Sequence, residues 1–243
     1  ELLCTIQTEI DTKLDYVGST VKLIRENLNK NTPLIGFAGS PWTLACYILG
    51  GGGSKDDFIQ VRKWLYTQPD LLILLLEKLT ENIINYLTMQ IKEGADAIML
   101  FDSWGGLLSY LNFPIYSLHY LRQIILTLNK NFPTVPKILF VKGGGVWLES
   151  IVQLDCSGIG IDWTVDLKTA KKVAGRNCAI QGNLDPAVLL GDRNFVRKEV
   201  KKLLDSLTEE ERKNGYIFNL GHGISQYTPP ENVAILVDTI REY

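Results

Sequence analysis

The sequence runs to 243 residues, 46% hydrophobic and 21% charged, with a formal net charge of -2. That is enough apolar material to bury a sizeable core. It excludes a general nucleic-acid or membrane-surface binder, which needs an excess of cations. The longest apolar run, "LLILLLEKLTENIINYL" from Leu71, is interrupted by Glu77, Lys78 and Glu81. A membrane span needs roughly 20 mostly apolar residues, so this run reads as a buried amphipathic helix.

In chain order, residues 3–30, "LCTIQTEIDTKLDYVGSTVKLIRENLNK", have a helical pattern. The first residue is Glu1, with no N-cap residue before it, and the expectation is a chain that begins just ahead of a helix. The first strand is "PLIGFAG" (33–39), followed by the helical run "WTLACYIL" and the glycines 50–53. "SKDDFIQVRKWLYTQ" reads as a helix with Ser54 as N-cap and Asp57 in its first turn. "QPDLLILLLEKLTENIINYLTMQIKEG" is a second helix, closed by Gly94. Strands follow at "ADAIMLFD" (95–102), "KILFVKGG" (137–144), "SGIGIDW" (157–163), "CAIQGNLD" (178–185) and "YIFNLGHG" (216–223). Between the first two of these, "YSLHYLRQ" places His119 in a helix. "TVDLKTAKKVAG" is predicted helical from Thr164, with Lys171 and Lys172 in its last turn and Gly175 as its stop. "DRNFVRKEVKKLLDSLTEEERKNG" starts near Asp192, and "TPPENVAILVDTIREY" at Thr228 with Pro229 as its first residue.

Apolar strands alternating with helices mean an α/β protein with a parallel sheet buried on both faces. No GxGxxG follows a strand, and "GGGG" (50–53) comes after a helical run, so neither nucleotide loop is present. The (β/α)8 TIM barrel fits best, as a single domain over 1–243 carrying about six βα units. A full barrel has about eight strands, so about two units are expected to precede Glu1. An open doubly wound sheet, which needs no missing part, is the competing arrangement.

Cys4, Cys46, Cys156 and Cys178 form no CxxC or CxH pair and read as reduced thiols of a cytoplasmic protein. The opening residues carry no secretory-signal pattern.

Barrel enzymes work at the C-terminal ends of their strands. That rule selects Phe37 and Gly39, Asp102 and Ser103, Lys142 and Gly143, Asp162 and Trp163, Asn183 and Asp185, and His222 and Gly223. Each has a plain structural reading too: Asp162, Asp185 and Ser103 as helix N-caps, Lys142 as a rim charge, Trp42, Trp104 and Trp163 as packing residues, and His222 as a turn residue. One strand-end histidine is too few for a metal hydrolase. A Schiff-base enzyme needs a desolvated lysine, and Lys142 is the only strand-end candidate.

"GFAGSPWTLACYILGGG" (36–52) resembles a signature of the uroporphyrinogen decarboxylase family. The resemblance continues in order through "GADAIMLFDSWGGLLS" (94–109), "KILFVKGGG" (137–145), "GIGIDWTVDL" (158–167), "AIQGNLDPAVL" (179–189) and "NLGHGISQYTPPENV" (219–233). It implies a (β/α)8 barrel, a homodimer with no metal or organic cofactor, and removal of the four acetate carboxyls of uroporphyrinogen. By motif, Tyr47, Ser103 and His222 correspond to the family's catalytic and substrate-binding residues. Phe37 and Phe101 correspond to apolar residues lining its cleft. Most members have a glutamate where this chain has Gly50. The family's "RQAGRY"-type segment, with its two arginines, and its "SDI"-type aspartate do not occur in these 243 residues. The resemblance therefore implies an N-terminally incomplete chain that is inactive alone. Two alternatives remain: a corrinoid or coenzyme M-type methyltransferase, which would bind zinc where this chain has Lys142 and His222, and a non-catalytic porphyrinogen-binding fragment.

Overall fold

The computed structural model describes residues 13–51 and 57–243. Cys4, Glu1, the first part of the 3–30 helical run and the Ser54 cap lie outside them. The described chain divides into two compact units, the first formed by residues up to Val141 with Gln153–Cys156, the second by Lys142–Val152 with Ser157–Tyr243.

The first unit opens with α1 (Asp15–Asn27) and β1 (Ile35–Gly39), then α2 (Pro41–Gly50), α3 (Ile59–Thr67) and the long α4 (Pro69–Lys92). It continues with β2 (Ala97–Asp102), α5 (His119–Asn131) and β3 (Lys137–Val141). The strands are parallel, with Phe37 opposite Met99 and Phe101 opposite Phe140. Ile98, Leu100 and Leu139 are buried on the helix side. Met99, Phe101, Ile138 and Phe140 form an apolar cluster on the other face, as a period of two requires. Arg25 fastens the end of α1 to the sheet: its guanidinium meets Asp96 at 2.6 Å and the carbonyls of Leu28, Asn29 and Thr32.

The second unit contains α6 (Leu148–Val152), β4 (Gly158–Gly160), α7 (Leu167–Ala174), β5 (Ala179–Leu184), α8 (Arg193–Asp205), α9 (Glu209–Lys213), β6 (Tyr216–Leu220) and α10 (Pro230–Arg241). Its core joins Leu184, Leu189, Val196, Val200, Leu204 and Leu236, with Tyr216, Phe218 and Leu220 packed on it. The opposite face carries Gln181 and Asn183 on β5, in register with Ile217 and Asn219 on β6.

All six predicted strands are present, and Gly94 and Gly175 stand at the ends of their helices with φ of 107° and 66°. Several helix starts are displaced. The helix predicted over "SKDDFIQVRKWLYTQ" begins at Ile59, because Asp57 and Phe58 take left-handed φ values of 48° and 54°. The helix expected from Thr164 begins at Leu167, capped by Asp166, whose carboxylate accepts from the Thr169 N–H. The 192–215 run is two helices: Asp192 caps the first, and a Thr208–Glu211 capping box restarts the second. The last helix starts one residue later than expected, at Pro230. No helix among the described residues is long and apolar enough to cross a membrane.

Among the described residues β1 is a terminal strand of the order, with one backbone edge not paired to a strand. Leu34 O and Ser40 N pair with β2, so alternate residues, Phe37 among them, point their N–H and C=O the other way. Gln90 of α4 meets both: its Oε1 accepts from Phe37 N at 2.9 Å and its Nε2 donates to Phe37 O at 3.0 Å. The buried carboxamide thus stands in for a neighbouring strand. Gln90→Met keeps the bulk and strands both groups, so it lowers the unfolding free energy by about 2–4 kcal/mol; a shifted urea midpoint at constant slope checks this.

Candidate functional site

The first unit's strand ends are organised by Asp102. This last residue of β2 is fully buried, and burial pushes its acid upward, opposed by hydrogen bonds from Ser117, Ser40, Thr43 and the Trp104 N–H. Ser40 Oγ and Thr43 Oγ1 donate to Oδ1 at 2.8 and 2.9 Å, and Ser117 Oγ to Oδ2 at 2.5 Å. Ser40 is also the N-cap of α2, accepting from the Thr43 N–H. One carboxylate therefore joins the end of β2, the start of α2 and the turn before α5.

Ser103 follows directly, half-buried, and caps no helix: the short 3-10 turn behind it (Gly105–Leu107) has Trp104 at its cap position, without a side-chain bond. Trp42 behaves as the packing residue expected, buried and donating from Nε1 to the Trp104 carbonyl at 2.9 Å. Tyr47 lies one helical turn after Thr43, on the same face of α2. It is 39% exposed, edge-on to Phe58 at 5.7 Å and to Trp104 at 6.4 Å. Phe58 fills the space beside Gly50, where a Cβ would come within 2.7 Å of its ring. A glutamate at position 50 has no room while that ring is in place, so Gly50 and Phe58 are a matched pair.

Phe37, 61% exposed, meets Phe101 edge-on at 6.0 Å, and Phe101 meets Phe140 at the same distance. These rings make one aromatic wall. Cys46 is on the buried face of α2, where burial and the Asp102 charge push its thiol up. Cys156 and Cys178 are buried as well.

In the second unit the organising group is Asp162. It does not cap the following helix. Its Oδ2 accepts from the Gly143 N–H at 2.5 Å and its Oδ1 from the N–H and hydroxyl of Thr164. Asn183 donates to the Asp162 and Val165 carbonyls at 2.8 and 2.6 Å. Asp185 is the cap that was expected, accepting from the Ala187 N–H. Gly221 packs so tightly on this turn that a Cβ would sit 2.6 Å from Trp163 N. The next residue, His222, is exposed beyond β6. Although much of the residue is open to solvent, its imidazole is held below its ordinary 6.5, first by desolvation of its enclosed side and second by the Lys142 charge, with Asp162 pulling upward.

The structure thus brings Phe37 to Phe101, and Tyr47 to the Trp104 that follows Ser103, in the first unit; His222, Lys142 and Asp162 belong to the second. The strongly desolvated lysine is not Lys142 but Lys137. Lys137 is buried at the start of β3, its ammonium lowered by burial and donating to the Phe132 carbonyl. It stands at the end of the strand away from Ser103 and Lys142, so it offers no strand-end Schiff base. Sequence reasoning missed Thr43 and Ser117 as partners of Asp102; the only signal was a charged residue closing an apolar strand. No group of three or more His, Cys, Asp or Glu among the described residues is arranged to hold a metal ion.

Parallel strands in chain order, crossover helices and polar residues gathered at the strand ends define a (β/α)-barrel protein of about six units. Solved structures agree on the fold. A methyltransferase from Methanosarcina mazei matches with a TM-score of 0.76 at 24% identity, over 95% of this chain and 64% of that one. A B12-independent methionine synthase from Shewanella sp. W3-18-1 matches at 0.62 and 9%, over 93% and 66%. The chain belongs to the uroporphyrinogen decarboxylase family, whose model matches residues 3–243. It is 48% identical over 233 residues to the uroporphyrinogen decarboxylase of Legionella pneumophila (strain Corby), and 46% identical to that of Aromatoleum aromaticum. These matches cover 96% and 95% of this chain but 65% and 64% of the relatives' own lengths.

The depressed His222 has a direct consequence. The fold favours its neutral form, so the stability it contributes is present above the ordinary 6.5 and lost as pH falls through the lower folded value. In a proton NMR titration the His222 resonance has its midpoint below 6.5, and Lys142→Gln moves it upward. His119→Gln assigns the chain's other histidine.

Proposed function

We propose that this chain supplies the acetate-binding part of a uroporphyrinogen decarboxylase. The observation that supports the reading is the Asp102 network, which joins the start of α2, one helical turn before Tyr47, to the end of β2, next to Ser103, in a unit whose strands also carry the aromatic wall of Phe37, Phe101 and Phe140. Each decarboxylation breaks the bond between the acetate methylene and its carboxylate, releases CO2 and takes up one proton in all, leaving a methyl group. A pyrrole carbon is protonated first, which lets the ring accept the electron pair of the breaking bond. The Tyr47 and Ser103 hydroxyls hydrogen-bond the departing carboxylate and orient it. Apolar walls limit competing water at the reacting ring. His222, neutral when unliganded near pH 7, takes up a proton on binding a substrate carboxylate, because a nearby anion raises an imidazole.

The protein is read as cytoplasmic, homodimeric and a single catalytic domain, as the family resemblance implies. The methyltransferase likeness bears on the fold alone. The family's paired arginines and aspartate do not occur in these residues, so turnover depends on cations beyond those described.

The test uses uroporphyrin, the stable oxidised form that keeps the acetates, against coproporphyrin, which has methyls in their place. Fluorescence titration is expected to show preference for uroporphyrin, and Tyr47→Phe to weaken its binding about tenfold, the worth of one hydrogen bond to a charged group. Equal affinity for the two porphyrins sinks the reading. Anaerobic turnover of uroporphyrinogen by the 243 residues alone, at the rate of the Legionella relative, would show that the arginines are dispensable.

A further inference from the structure

We infer that Asp102 is the positioning residue of the Tyr47–Ser103 pair. The inference rests on the functional reading above and adds the group that makes it work. Tyr47 and Ser103 are 56 positions apart and lie on different elements, α2 and the turn after β2. Neither element alone fixes the distance between the two hydroxyls. Asp102 does, because it accepts from Ser40 and Thr43 at the start of α2 while being covalently next to Ser103.

The joint is reinforced on both sides. The Ser40 N–H donates to the Phe101 carbonyl at 2.8 Å. The Trp104 N–H reaches Thr43 Oγ1 at 3.4 Å, and the Trp42 indole donates to the Trp104 carbonyl at 2.9 Å. Ser117 closes the carboxylate from behind at 2.5 Å. Residues 40, 42 and 43 on one strand-to-helix junction thus grip residues 101, 102 and 104 on the next, with residue 103 between them. A hydroxyl projecting from residue 103 and one projecting a helical turn past Thr43 inherit that rigidity. Asp102 is buried and touches no substrate; it acts through its neighbours.

A carboxylate accepts in several directions at once, and this site needs an acceptor toward each of its donors. An amide presents N–H on one side. Asp102→Asn therefore removes the charge and turns one acceptor into a donor without changing size, so a hydrogen bond from Ser117 or from the α2 junction is reversed or lost.

The test compares porphyrin selectivity in the chain itself. The unaltered chain, Asp102→Asn and Thr43→Val are titrated with uroporphyrin and coproporphyrin, each variant alone and combined with Tyr47→Phe. Thr43→Val keeps the experiment informative should Asp102→Asn not fold, which a thermal melt reports. A positioning role predicts that the uroporphyrin preference falls about tenfold in either variant, while coproporphyrin affinity stays within about twofold. It also predicts that Tyr47→Phe then adds almost nothing, since a misplaced hydroxyl has little left to lose. A purely structural role would lower both affinities together and leave the effects of Tyr47→Phe and Asp102→Asn additive, and either result overturns the inference. If the unaltered chain shows no preference at all, the functional reading fails first, and this inference with it.

Discussion

Everything at the first unit's strand ends depends on a carboxylate buried without a cation beside it. Asp102 is surrounded by hydroxyls and a backbone N–H. A charge taken from water is costly unless every lone pair finds a donor. Ser40, Thr43, Ser117 and Trp104 provide those donors, two from the start of α2, one from the turn before α5 and one from the turn leaving β2 itself. The cost of burial is thereby turned into a geometric constraint. Removing any donor leaves a buried acceptor under-satisfied, so α2, the end of β2 and the turn before α5 keep one arrangement.

The second unit solves the same problem with the same residue type. Parallel strands all end at one side, and the turns leaving them expose backbone N–H groups that no ladder satisfies. Asp162 gathers the N–H groups of Gly143 and Thr164, from the turns after β3 and after β4. Asn183 ties β5 to the same turn through two carbonyls. The tight seat of Gly221 against Trp163 then fixes where the chain leaves β6, and so where His222 begins. Asp162 is not the helix cap that its position in the sequence invites; Asp166 takes that place.

The six strands were legible because each is a continuous apolar run, the mark of a strand covered on both faces. Helix starts were less so. Asp166 is as good a cap as the Thr164 expected in its place, and at the last helix the cap position falls on Pro229, which makes no side-chain cap bond, so propensity alone does not fix either start. The Asp102 network was illegible for a different reason: its partners lie 62, 59 and 15 positions away, and only the folded sheet brings them together. Ser103 was legible from its place at a strand end as well as from family resemblance, whereas Tyr47 came from the resemblance alone. The Gly50–Phe58 pair hid in plain sequence, since nothing in the residues 50–58 says that a ring will fold back onto the glycine.

The two units differ most on the strand face turned away from the helices. In the first, Phe37, Met99, Phe101, Ile138 and Phe140 make it apolar. In the second, Gln181, Asn183 and Asn219 make it polar, and Gln181 Oε1 is buried with no hydrogen-bond partner among the described residues. Both surfaces arise from the same alternation of side chains along parallel strands, so the difference is one of residue choice and not of fold. The contrast is written in the odd-numbered positions of β1 and β2 and the even-numbered ones of β3 in the first unit, and in the odd-numbered positions of β5 and β6 in the second, while the remaining positions of the same strands face the helices.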